Sequence, residues 1–593
     1  MEKGFNNSDI RRCGHFNDYQ IFFIQRWLEV LNSNTHGRYS IKYLNSHQAL
    51  KEVVRVCQGI LNDEIKSKEI HLKLAIEEAS QIVNKDILFK TESEEYHRIV
   101  RRCFSSIPKV TQIPKIYSLI YQLKYVIKHL KTHYLKWIVD RLKLLLFDSD
   151  NTNQIQDGKL EEIDSLILSL ISELLGKGWS VKRLYELIKL DLLDQSDENQ
   201  KWDRFLTTIM SECRTYICIF RFKQQPKELL KEKMKQFELD LLPGTYLSEE
   251  YSELSEHVSA TQSYLRVAVN AYDRHSAVNT AWFQIVEKLD ILRFYGFTPL
   301  EISNTPIVIG DGKLFTRNVH VSLISDKKKF KAPDTILERI LNQIKKIDEK
   351  SINRKIKSLF EFNRISEESL SPQSTFLNLW IALESFVQTK EREGGIENVK
   401  MVVGATTSYN YIYSLVKNFI EDCQRCNLLI NREGDEFIEI GRLKVSEAIY
   451  FLLDDDNQEI ILNSCNEKNN LLGYRYRQLR EILVDGKKAS NVIESHRENI
   501  TRHLQRLYRV RNSIVHSAEA HYNINLFIKH LSDYIESTMS VVLQRLEVND
   551  NFDNLDEVFA MIRDSVDSTI EVLGSSNDLD RDEYYKILLN GIF

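Results

Sequence analysis

The chain has 593 residues, 42% of them hydrophobic and 28% charged, with a formal net charge of −5. That length exceeds what one hydrophobic core serves and predicts about three or four domains. Mild acidity excludes a polycation, so any anionic ligand must meet a local basic patch. Only 8 prolines and 20 glycines argue for long helices and against tight-turn β architecture.

The opening stretch, "MEKGFNNSDIRRCGHFND", has no apolar segment of the kind a secretory signal needs. The greasiest helical run, Ser165 to Ser172, is closed by Asp164 and Glu173, far short of the roughly 20 residues that span a bilayer. Eight scattered cysteines do not make a disulfide framework. The expectation is a reduced, cytoplasmic protein with no membrane partner.

From the start to about Leu242 the pattern is amphipathic helix. In "EEIDSLILSLISELL", Ile163, Leu166, Ile167, Leu170, Ile171 and Leu174 follow the helical period. Gly176 and Gly178 close that helix, and Ser180 suits the cap of the next. No fixed-period self-similarity marks a repeat solenoid. Residues 1–242 therefore form a helical N-terminal region of unassigned role. Pro243-Gly244 punctuates the break into a central region, 243–350. There the pattern predicts a helix from about Ser255 to Tyr295. A small β-hairpin follows within 305–324, with β-branched residues flanking Gly310-Asp311-Gly312. Helices resume over 351–548. The last segment, 549–593, is acidic: from Glu547 to Phe593 twelve acids stand against three bases, a balance of −9. The expected fold class is mainly all-α.

Several familiar patterns fail on inspection. Cys423 and Cys426 form one CxxC, but zinc takes four ligands and only Cys465 lies near in sequence. His129 and His133 share a helix face, yet Leu130 stands where a zinc protease has glutamate, and no third ligand is evident. "GDGK" lacks the upstream glycine of a phosphate loop, and no GxSxG occurs. No metal and no cofactor is expected.

One stretch is more specific: "YRVRNSIVHSAEAH", Tyr508 to His521. Arg511, Asn512 and His516 surround the apolar pair Ile514-Val515 on a predicted helix. An Arg-x4-His spacing arises about once by chance in such a chain, and Arg497 with His503 nearly repeats it. Context adds more. Between Gly473 and His516 ten arginines and lysines face four acids, a local balance of +6. That is the footprint of a phosphate-backbone ligand, or of a solvated helix face.

"YRVRNSIVHSA" resembles the RNxxxH signature of the HEPN superfamily, an α-helical family rich in metal-independent ribonucleases. "STFLNLWIALESFV", Ser374 to Val387, resembles the LWxALE helix of HEPN domains in bacterial defence proteins. Its buried stripe is Phe376, Leu379, Trp380, Leu383 and Val387, and Glu384 lies at the stripe's edge. The likeness spans 351–548, strongly only these two helices, and makes about 389–470 an insertion. Residues 1–350 resemble no family.

The resemblance implies an endoribonuclease that acts as a toxin or antiviral, abortive-infection effector. His516, with an ordinary pKa near about 6.5, suits proton transfer at the RNA 2′-hydroxyl. Arg511 would meet the phosphoryl oxygens, and Asn512 would orient the histidine or the phosphate. Glu384 would support Arg511. Arg502, Arg506 and Arg509 would contact RNA. The products would be 2′,3′-cyclic phosphate and 5′-hydroxyl ends. One motif per chain implies a homodimer or higher even assembly, with RNA and a phage trigger or an antitoxin as partners. The alternative is a non-catalytic helical scaffold or HEPN-like binding protein, with Arg511 paired to Glu384 and His516 saturated. The acidic end would either lie over the cleft or form a solvated tail with an amphipathic helix.

Overall fold

The computed structural model describes residues 5–32, 44–65, 68–147, 156–194, 200–223, 232, 234–237, 239–294, 301–310, 312–316, 319–321, 351–369, 371–391, 395–432, 436–517, 524–548, 552, 554–575 and 581–590. The fold is mainly α-helical. In the first part α1 (Asn7–Arg11), α2 (Asp18–Leu31), α3 (Ser46–Leu61), α4 (Lys68–Lys85), α5 (Ile87–Glu92) and α6 (Glu94–Phe104) precede the long α7 (Ile113–Leu146). Then come α8 (Asp157–Lys177), α9 (Val181–Leu187) and α10 (Lys201–Ile209). Local signals set several boundaries. Asn17 Oδ1 accepts from Gln20 N and starts α2, Ser180 Oγ does the same for Arg183 N in α9, and Gly178 ends α8 at φ +111°. α2 is buried on nearly all sides, which makes it a central helix.

The middle of the chain departs from the expected pattern. Strands β1 (Arg214–Arg221), β2 (Asp240–Pro243), β3 (Ser263–Ala271), β4 (Ile307–Gly310) and β5 (Lys313–Phe315) build an antiparallel sheet in the order β2-β3-β1-β4-β5. The predicted hairpin turn is present, with Gly310 opposite Lys313 and Gly312 at φ +66°. A Cβ on Gly310 would fall 2.2 Å from the Tyr216 ring, so glycine is required there. Where the pattern predicts one helix from about Ser255 to Tyr295, the chain forms β3 and then α12 (Arg274–Phe294), after the short α11 (Gly244–Glu250). The sheet is apolar on both faces: Tyr216, Cys218 and Phe220 pack towards α12, and Ile217 and Ile219 towards α11. That two-sided burial hides the alternation by which a strand is recognised in sequence.

The remaining helices are α13 (Ser351–Glu368), α14 (Pro372–Val387), α15 (Gly395–Ser408), α16 (Tyr411–Cys426), α17 (Val445–Leu453), α18 (Gln458–Lys468), α19 (Asn470–Leu483), α20 (Gly486–Ser517), α21 (Ile524–Val548), α22 (Leu555–Gly574) and α23 (Arg581–Asn590). α15 falls inside the span predicted as an insertion, yet it packs against α14, α20, α21 and α22 through buried Val399, Val402, Val403 and Thr406. It is a helix of the bundle. The acidic end is likewise structural: Val558, Phe559, Ile562 and Val566 bury one face of α22, and Asp567 and Asp556 pair with Arg497 and Lys355. α22 meets α20 at Ser490 and Arg497. His516 lies 19 residues beyond Arg497 on the same helix, or roughly 28 Å from that contact at the helical rise.

One hydrophobic core runs through the N-terminal helices and the C-terminal bundle, whereas the sheet has its own two clusters. The helical halves are also tied by polar contacts. Asn7 Nδ2 donates to Asn470 Oδ1 at 2.8 Å, and Gln25 Oε1 accepts from Leu471 N at 3.0 Å. Asp273 docks the sheet unit: buried at the start of α12, it accepts from Ser180 N and Ser180 Oγ, each at 2.8 Å, and from His275 N at 2.8 Å. Deleting residues 551–593 strips the Phe559 face from the bundle core, so circular dichroism melting should show loss of the cooperative transition. A truncated protein that melts as the full chain does would contradict this packing.

Candidate functional site

α20 is a 32-residue helix with two occupied faces. Leu504, Leu507, Val510 and Ile514 enter the bundle core. A second stripe, Arg502, Gln505, Arg506 and Arg509, follows the i, i+3, i+4, i+7 spacing and meets α3 and α4. Arg509 Nε donates to Glu52 Oε1 at 2.8 Å. Arg506 pairs with Glu78. Arg502 Nη1 donates to Gln81 Oε1 at 2.8 Å, and Arg502 also pairs with Glu498 at 3.2 Å. Gln505 Nε2 donates to His71 Nδ1 at 2.8 Å, and the His71 ring stacks on Tyr508 at 5.9 Å. The three arginines predicted to hold RNA are therefore engaged inside the protein, and Arg506 and Arg509 are buried. Glu52, Glu78 and Gln81 lie more than 400 residues away in sequence, beyond the reach of any local pattern, while Glu498 is a helix neighbour of Arg502.

Electrostatics follow this packing. Burial alone would raise the Glu52 carboxyl, but Arg509, Arg55 and Arg506 outweigh it and hold it at about 2. Burial, with Arg509 and Lys400 nearby, pushes His71 down to about 3, so its ring is neutral in the fold. A buried guanidinium without its carboxylate would be costly, which makes the stripe a clamp between the two halves.

Asn512 and His516 continue this face to the end of the helix, at i+3 and i+7 from Arg509, whereas Arg511 stands about 160° round the helix from Arg509. Asn512 is buried at 3% exposure, Arg511 is half-buried and His516 is exposed. His516 stands seven residues past Arg509, or about 10 Å along the axis. Arg511 Nη1 donates to Asn512 Oδ1 at 3.1 Å. Neither Arg511 nor His516 pairs with a carboxylate among the described residues. Val515, beside His516, is 48% exposed. Residues 518–521, the end of the stretch read in the sequence, lie outside the described residues.

The second helix singled out by sequence, α14, packs against α20: the Trp380 and Tyr508 rings lie 5.7 Å apart. Phe376, Leu379, Trp380, Leu383 and Val387 are all buried, as their spacing predicts. Glu384 is engaged elsewhere than at Arg511. It accepts from its own helix neighbour, Trp380 Nε1, at 3.0 Å, and it packs against the first residue of α15, where a Cβ on Gly395 would fall 1.6 Å from Oε1. A carboxylate at a helix N-terminus is favourably placed, which accounts for Glu384 without the motif arginine. His503 of the near-repeat is buried and bonded to Tyr534 Oη at 2.9 Å.

Cys423, Cys426 and Cys465 are buried together, and burial pushes the thiols up, Cys426 to about 11. Among the described residues, no group of three or more His, Cys, Asp or Glu is arranged to hold a metal ion, and no helix is long and apolar enough to cross a membrane. No protein-family model, curated protein or solved structure matches the chain.

The clamp and the helix end should respond differently to substitution. Arg509→Ala leaves Glu52 buried and is expected to cost about 3–5 kcal/mol in urea unfolding. Arg511→Ala and His516→Ala should change stability by less than about 1 kcal/mol. Equal losses at Arg509 and Arg511 would assign Arg511 to the clamp. The clamp also sets an acid response. A depressed histidine contributes stability that is full above its unfolded pKa, near about 6.5, and is lost as pH falls towards about 3. His71→Gln should therefore flatten the decline in melting temperature between about pH 6.5 and 4 relative to wild type; an unchanged decline would place that acid sensitivity elsewhere.

Proposed function

We propose that this protein is a metal-independent endoribonuclease whose reacting groups are His516 and Arg511, in keeping with the HEPN resemblance of the two helices that carry Trp380 and Tyr508. The observation that supports this reading best is the exposure of an unpaired histidine at the point where an otherwise buried polar stripe emerges. His503 and His71, by contrast, are buried and hydrogen-bonded to Tyr534 and Gln505.

The residue chemistry is sufficient for transphosphorylation. His516 takes the proton of the 2′-hydroxyl, which attacks the adjacent phosphorus. The 5′-oxygen leaves with a proton and a 2′,3′-cyclic phosphate remains. Arg511 offers forked donors to the phosphoryl oxygens as charge gathers there. Asn512, fixed in the core, limits the Arg511 rotamers through its side-chain oxygen. A homodimer would place two such helix ends across one groove, and Val515, apolar and exposed next to His516, suits a subunit contact. In that arrangement a phage trigger or antitoxin would act through the N-terminal helices that grip α20.

A second reading is favoured by one specific observation: Arg502, Arg506 and Arg509 are spent within the protein, so the helix end carries less free positive charge than its sequence promises. Under that reading the helix end is a binding surface and the protein a scaffold. Incubation with total cellular RNA in EDTA separates the two. Wild-type protein should cut, leaving cyclic phosphate ends, and His516→Ala and Arg511→Ala should each lose at least about 100-fold of the rate with melting curves unchanged. Cutting that survives both substitutions would sink the assignment. Intact RNA, together with harmless expression in cells, would favour the scaffold.

A further inference from the structure

α7 carries a row of lysines that form no ion pair among the described residues, along with an unusual arrangement of rings. Tyr117, Tyr121, Tyr125, His129, His133 and Trp137 recur every four residues, so they form one continuous i, i+4 ridge. Several of these rings stack on a neighbour, in two groups, Tyr117 with Tyr121 and Tyr125 through Trp137. Tyr117 and Tyr121 lie 6.2 Å apart at 26°. Tyr96 of α6 inserts between Tyr125 and His129, at 5.4 Å and 3.8 Å and nearly parallel to the latter. His129 and His133 follow at 4.7 Å, then His133 and Trp137 at 5.9 Å and 16°. This is no core: Tyr117, Tyr121 and Tyr125 are 44%, 65% and 58% exposed.

Cations flank the ridge. From Ile113 to Leu146 there are seven basic residues and one acid. Lys124, Lys128 and Lys136 each stand three residues after a ridge ring, on the exposed side of the helix. No α7 lysine side chain pairs with a carboxylate among the described residues; the helix's ion pair is Arg141 with Glu162. Towards its C-terminal end, Lys136 and Lys143 line a cleft between α7, α10 and the sheet that holds charges of both signs, Arg183 and Arg204 beside Asp191 and Asp203.

Exposed flat rings in series need a partner with flat faces, and the spacing of lysines alongside needs repeated negative charge. Single-stranded nucleic acid supplies both, because every base has a π-face and every link a phosphate. A duplex does not, since its bases are already stacked inward. We propose that the α6–α7 ridge is a binding platform for single-stranded nucleic acid, with bases stacking on Tyr117, Tyr121 and Tyr125 and phosphates meeting Lys124 and Lys128. The platform stands apart from the helix end at His516 and does not require cleavage there.

The test uses the full chain carrying His516→Ala, so that binding is read without cutting. Fluorescence anisotropy with labelled 12-nucleotide polyuridine, polythymidine of the same length and a matched duplex is measured from 50 to 200 mM salt. Both single strands should bind more tightly than the duplex. Tyr121→Ala/Tyr125→Ala should weaken single-strand binding at least about fivefold per lost stack, while Tyr121→Phe/Tyr125→Phe keeps the wild-type affinity. Lys124→Gln/Lys128→Gln should lower the slope of log affinity against log salt by about 1.4. Absence of single-strand binding overturns the platform. So does equal binding of the duplex, or weakening by the lysine but not the tyrosine changes. Displacement of the strand by polyglutamate as efficient as by unlabelled polyuridine would reassign the ridge to an acidic protein.

Discussion

The rest of the structure depends on the guanidinium of Arg509, buried at 6% exposure against Glu52. Neither group tolerates burial alone, and each is stabilised only when the other is in place. The pair therefore contributes specificity more than net stability: it admits one docking of α20 on α3, and Arg506 with Glu78 repeats the constraint one turn earlier. Apolar surface supplies the driving force, through a core that passes without a break from the N-terminal helices into the C-terminal bundle. The ion pairs decide the register in which that surface is joined.

This constraint redistributes charge. In sequence, α20 carries five arginines; in the fold Arg509 and Arg506 are neutralised at short range by Glu52 and Glu78, and little of the field of those two reaches solvent. What remains exposed is the helix end. On α7 the reverse holds. Lys124, Lys128 and Lys136 are exposed and form no ion pair among the described residues, so their potential reaches outward. Charge counted along a chain and charge presented to a ligand are thus different quantities here. The arginine-rich helix is the better scaffold and the lysine-rich helix the better platform.

The acidic C-terminal segment illustrates the same point from the other side. Its carboxylates look like a detached anionic tail, but the apolar stripe of Val558, Phe559, Ile562 and Val566 is buried and Asp556 and Asp567 face Lys355 and Arg497. α22 is held at the far part of α20 from His516, and the bundle needs it as a wall.

Much of the molecule is legible from local patterns. Helical periodicity marks α8 and the buried stripe of α14, because three or four residues per turn are enough to place a side chain in or out of a core. The hairpin at Gly310 and Gly312 is readable because a positive φ calls for glycine. The placing of Arg511, Asn512 and His516 on one helix is readable from the helical period of the apolar residues before them. Other features are decided at long range. β1 is hard to read because both of its faces are apolar, whereas β3 does alternate, with Leu265, Val269 and Ala271 buried and Ala268 and Asn270 exposed, over too short a span to outweigh the helical pattern that follows it. Whether an arginine meets phosphate or glutamate depends on a residue more than 400 positions away, and Glu384 on the start of α15. Periodicity specifies which side of an element is apolar, since that is a property of neighbours in the chain; only packing specifies what stands opposite, since that is a property of neighbours in space.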